Sequence, residues 1–144
     1  MDLTQFPPLH PLVVHGAVVL LPLAALGAIV IALSSRARKR YGSLVAVLSV
    51  VALGAVIGAR LSGEQLAGTT QAQGTLGTHM AWGLIAPWPA TLLAVASVGL
   101  VLVSRGTSRP LLLTFCVLSI LAAVVSVLTV VVAGHLGATA VWVG

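Results

Sequence analysis

Acidic side chains are almost missing from this chain: Asp2 and Glu64 are the only ones in 144 residues. That leaves no carboxylate pair for acid–base chemistry. It also excludes a recognisable hydrolytic triad, although Ser62 and Thr78 stand near histidines. Cysteine is nearly as scarce. A single Cys116 rules out an intrachain disulfide and a CxxC pair, and inside an apolar run it reads as a small packing residue. Charge of either sign is low, at 6% against 59% hydrophobic, with a mean hydropathy of +1.17. Soluble domains carry about 25% charged residues, so the composition is that of an integral membrane protein. The pI near 11.3 comes from seven basic residues. Most of them gather in two short stretches between apolar spans, where they act as topology signals and imply no nucleic-acid partner.

Four apolar runs, approximately 12–34, 43–61, 79–104 and 110–134, reach the roughly 20 residues that cross a hydrocarbon core of about 30 Å. The first is too long for a signal-peptide core, lacks a basic leader and follows Asp2, so it reads as a mature helix. None shows the alternation of barrel strands. The expected fold is all-α: an integral membrane four-helix up-down bundle forming one domain over residues 1–144. Arg36, Arg38, Lys39 and Arg40 fall between helices 1 and 2, and Arg105 and Arg109 between helices 3 and 4, whereas the other side has only Arg60. The positive-inside rule then makes the basic loops cytoplasmic and the topology N-out/C-out. The 62–78 segment, SGEQLAGTTQAQGTLGT, reads as a flexible outer loop or a short interfacial helix.

Other residues carry packing signals. Gly54 and Gly58 make a GxxxG face, for packing within the bundle or for a homodimer seam. Pro22, Pro87 and Pro89 are expected to kink their helices. Trp82 and Trp142 fall near the outer interface, and Trp88 lies deeper, in the core or beside a cavity.

All four histidines, His10, His15, His79 and His135, fall at the same end of these spans, the outer end by charge. With helix 1 starting at Pro11, His15 lies about 6 Å along it and His10 just outside. His10 is then the weaker ligand, because two helical positions five apart diverge by about 140°. His79 opens helix 3, and His135 closes helix 4 beside Gly134 and Gly137, small neighbours that leave room for something flat. Polar residues at membrane depth are costly, so their convergence points to an imidazole-based site.

Two chemistries suit such a site. A haem b held by two neutral imidazoles needs ligands on facing helices; helices 1 and 3 are diagonal in an up-down bundle, which nominates His15 and His79. His135 is then an alternative ligand, a propionate partner or a proton carrier. Arg60 could pair with a propionate, or with Glu64 at i,i+4. Glu64, His10 and His135 are candidates for moving protons. Copper or zinc would instead draw three or four imidazoles together, from His15, His79, His135 and His10.

LHPLVVH at 9–15 and GHLGATAVW at 134–142 resemble the opening HPxxVH and closing GHxGA signatures of a bacterial membrane-domain family of unknown function, and SGEQLA at 62–67 matches its GE-containing segment. The similarity covers essentially the whole chain. Members resemble four-helix membrane cytochromes b, and some are joined to Rieske-type iron–sulfur domains, which implies haem-linked electron transfer. On that resemblance His10, His15 and His135 are motif residues; His79 rests on topology. Where members often continue VH with Phe-Pro, this chain has Gly16 and Ala17. The expectation is a small b-type haem protein of the bacterial cytoplasmic membrane, a quinol-linked oxidoreductase or electron-transfer subunit working between the quinone pool and an outer redox partner. The alternatives are a copper- or zinc-handling membrane protein and a non-catalytic subunit of a respiratory complex.

Overall fold

A chain in hydrocarbon must satisfy its own backbone, and a helix does so within one segment. The computed structural model describes residues 9–67, 75–106 and 108–142. Its elements are all helices: α1 Leu9–Leu33, α2 Ser35–Ala67, α3 Thr75–Ile85, α4 Pro87–Val103 and α5 Arg109–Trp142. α3 and α4 together make one span, giving four spans, Pro11–Leu33, Ser35–Glu64, Gly77–Val103 and Arg109–Thr139. The shortest has 23 residues and covers about 35 Å, enough to cross a bilayer.

The helices outrun the apolar runs. α1 begins before Pro11, α5 continues past His135 to Trp142, and the arginine-rich stretch is no loop, because α2 starts at Ser35. Only Ser34 separates α1 from α2. Its Oγ accepts the Ala37 N–H at 3.2 Å, an N-cap for α2. Arg38 then reaches back, donating from Nη1 to Ile31 O at 2.9 Å, Ala32 O at 3.3 Å and Cys116 Sγ at 3.2 Å. A guanidinium on the last carbonyls of α1 satisfies orphan acceptors at the negative end of its dipole, so the chain can turn and resume a helix at once. In the 62–78 segment, residues 62–67 end α2 and 75–78 begin α3; residues 68–74 lie outside the described residues.

Proline acts differently in the two spans. α1 runs through Pro22 unbroken. Pro87 and Pro89 remove two nearby donors, and the third span breaks at Ala86. Ala86 keeps helical angles (φ −51°, ψ −36°), so the break is a kink and not a loop.

α1 and α4 each pack along α2 and α5, which closes a four-membered ring, and α3 leans on α5. Lipid is as apolar as leucine, so the interior is made of small residues that let backbones approach. Ala24, Ala28, Ala52, Ala90 and Ala123 are buried beside Leu21, Ile31, Leu93 and Leu100. Leu12, Leu23, Leu44 and Leu92 face outward. So does Trp88, which is 72% exposed and packs neither in the core nor in a cavity. A Cβ at Gly58 would lie 3.1 Å from Val13, so that glycine serves packing of α2 on α1; one at Gly54 would meet nothing.

Four serines are fully buried. Ser49 Oγ donates to Val45 O at 2.8 Å and lies 3.3 Å from Ser97 Oγ, linking α2 to α4. The hydroxyls of Ser119 and Ser126 on α5 have no partner. The buried core extends from Ala17 to Ala32 on α1, ends at Val56 on α2, begins at Ala86 on the third span and ends at Val130 on α5. Beyond these limits, towards the histidines, no described residue is buried. Among the described residues, the histidine end is packed by partly buried side chains only.

Gly99 lies directly under the Phe115 ring, and a Cβ there would overlap it. Gly99→Ala is expected to lower stability by about 1–3 kcal/mol in detergent unfolding, with Gly54→Ala unchanged and Phe115→Leu rescuing the first variant. Ser119→Ala and Ser126→Ala, which delete unpartnered hydroxyls, are expected to be neutral or stabilising in the same assay, by up to about 1 kcal/mol.

Candidate functional site

His79 sits in the first turns of α3, half-buried against α5. Its Nδ1 lies 2.8 Å from Ala133 O. A carbonyl only accepts, so Nδ1 carries the proton, and in the neutral ring Nε2 keeps the lone pair. The contact depends on Gly137, four residues on from Ala133, over which the imidazole lies: a Cβ there would be 3.0 Å from the ring's Cε1. On the same face of α3, Gly83 borders open space, since a Cβ there would meet nothing within 4 Å.

His15 is exposed, and its Nδ1 lies 2.6 Å from Pro11 O in its own helix. It too presents Nε2. Its position is about 200° round α1 from buried Ala17 and about 180° from buried Ala24, on the outward face. His10 occupies a different register. Because α1 begins at Leu9, His10 is inside the helix and not in freer chain before it. Its position precedes Ala17 by seven residues, Leu21 by eleven and Ala24 by fourteen, on the stripe that becomes the buried face. The side chain of His10 lies outside the described part of the structure.

His135 is exposed. It lies two turns inside α5, about 160° round the helix from Gly137, so it faces away from the surface that receives His79. Arg60 Nε donates to Glu64 Oε1 at 2.8 Å, an i,i+4 ion pair of partly exposed side chains. Arg60 is thus engaged by Glu64. Among the described residues, no three His, Cys, Asp or Glu side chains come together as a metal-ion group.

The structure therefore joins His79 to α5, puts position 10 on the inward register of α1, and turns His15 and His135 outward. Among the described residues, α1 does not touch α3. The span carrying His79 approaches α1 through α4, below the break, as befits diagonal spans, while α3 itself contacts α5 and α2. Sequence reasoning missed the Ala133 carbonyl and the role of Gly137 as the seat of an imidazole. The signal was present as Gly134 and Gly137 in the closing motif, but only Gly137 meets His79, whereas a Cβ at Gly134 would meet nothing.

Gly137→Ala is expected to displace the His79 ring, and His79→Ala to remove it, each costing about 0.5–1.5 kcal/mol for one interhelical hydrogen bond. Once the imidazole is gone, the added methyl has space. In a double-mutant cycle by thermal unfolding, Gly137→Ala is thus neutral in the His79→Ala background, while Gly134→Ala is neutral in both.

The chain belongs to the family described as predicted membrane protein (DUF2231), whose profile matches residues 6–144. No curated protein and no solved structure matches it.

Proposed function

We propose that the histidine end of the bundle is a cofactor seat, and that a b-type haem held by His79 and a histidine of α1 is the occupant that suits it best. The observation that carries this reading is the state of His79: its ring is fixed between helices by an Nδ1–H bond to Ala133 O, which leaves Nε2 as the donor. Holding a ligating imidazole through its other nitrogen is the usual way to set its tautomer and orientation. A haem needs only two imidazoles, whereas copper or zinc would draw three or four together, and His79 is the histidine whose ring is held between helices.

Register favours His10 over His15 as the partner from α1, because position 10 continues the inward stripe and His15 is exposed. No described residue beyond Ala17, Val56, Ala86 and Val130 is fully buried, so a group bound there would displace no described residue of the buried core. Gly83 leaves open space beside His79. Arg60 lies at the same end, but its Nε is held by Glu64, so pairing with a propionate there would require it to leave or share that partner. A haem bound there would supply one-electron transfer, with the membrane quinone pool as donor or acceptor and a partner protein at the histidine end on the other side of the reaction. The six basic residues at the other end support its assignment to the cytoplasmic side of a bacterial membrane, which puts the histidines outside.

Haem content per polypeptide in single-histidine variants tests the assignment. His79→Ala and His10→Ala are expected to lose haem, and His15→Ala and His135→Ala to keep it. Loss in none of the four, or wild-type protein from a haem-replete host with stoichiometric copper or zinc instead, overturns the reading.

A further inference from the structure

The end of the bundle opposite the histidines carries a second feature. A recess of about 220 Å³ runs between α2 and α4 on the outer surface, lined by Ala46, Val47, Val50, Val51 and Val98. Its walls share a pattern. On α2, Arg40 precedes Val47 by seven residues and Val51 by eleven, which puts all three on one stripe of the helix. On the other wall, Arg105 follows Val98 by seven residues, just past the end of α4 at Val103. Gly42 meets Val101 at this level, with 3.1 Å between a Cβ position and the valine methyl, so the start of α2 and the end of α4 lie side by side. Both arginines are exposed, and Arg40 lies over the Tyr41 ring at 5.4 Å.

Among the described residues no acid competes for these cations, because Glu64 is at the far end with Arg60. Arg38 is not available either, being spent on the last turn of α1. We propose that the recess and its two arginines form a binding site for one anionic phospholipid, with an acyl chain in the valine-lined groove and the phosphodiester between Arg40 and Arg105. Charge complementarity selects this occupant. A second copy in parallel orientation would bring its own arginine-rich end against these. The other surface groove, between α4 and α5, lacks the pattern: seven residues on from Val95 stands Leu102, and seven before Leu118 stands Leu111. It is apolar along its length and can take hydrocarbon without choosing a headgroup.

The site is independent of what the histidine end binds. Its test is native mass spectrometry of the full chain from detergent, after exposure to equal amounts of phosphatidylglycerol and phosphatidylcholine with identical acyl chains. Wild type is expected to retain one phosphatidylglycerol with about fivefold or greater preference. Arg40→Gln with Arg105→Gln removes the preference, and Val47→Trp, which fills the groove with both arginines intact, reduces retention. Arg109→Gln, a loss of charge at the same end on α5 and off both walls of the groove, keeps the preference, whereas Arg40→Gln and Arg105→Gln each lower it. Equal retention of both lipids by wild type overturns the proposal. So does a loss of preference in Arg109→Gln equal to that in Arg40→Gln or Arg105→Gln, which would make the effect diffuse charge and not a site.

Discussion

Helices surrounded by lipid gain nothing from hiding leucine, so the four spans hold together only where their backbones can come close. In this chain that condition is met along the stretches where alanine, serine and glycine face inward: Ala24 and Ala28 on α1, Ala52 on α2, Ala90 and Ser97 on α4, Ser119 and Ala123 on α5. Gly99 under Phe115 and Gly58 against Val13 show how close the approach is. Where the inward small residues stop, the fully buried core stops. Among the described residues, packing at the histidine end is by partly buried contacts such as Gly58 with Val13 and Gly137 with His79.

The same constraint explains the kink. A straight third span would continue the line that α4 follows between α2 and α5. Pro87 and Pro89 interrupt the ladder at Ala86, and α3 above the break leans on α5, where His79 finds Ala133 and Gly137. The two prolines therefore mark the point above which α3 sets its imidazole on the neighbouring α5. Each end of the bundle is then chemically distinct. One holds imidazoles and an Arg60–Glu64 pair; the other holds six basic side chains, of which Arg38 is built into the turn between α1 and α2.

The number of spans, their helical nature and the gathering of histidines at one end were legible in the sequence, because run length and charge placement alone decide them. The helix ends were not. Arg36 to Arg40 read as a loop by charge, yet they form the first turns of α2, since Ser34 caps that helix and Arg38 satisfies the carbonyls of the preceding one. Helical phase was hidden as well. Every span is apolar all round, so no amphipathic stripe marks which face turns inward, and the difference between position 10 and position 15 emerges only once Ala17, Leu21 and Ala24 are seen to be buried. The seat of His79 depends on residues 54 positions away, beyond the reach of any local pattern.

What unites these features is the proposal that the imidazole-bearing end of the bundle holds a haem. The most direct measurement is the dithionite-reduced minus oxidised absorption spectrum of the purified wild-type protein from a haem-replete host. The account predicts the sharp visible bands of a low-spin haem with two imidazole ligands. A colourless protein with no redox-dependent absorption would contradict it.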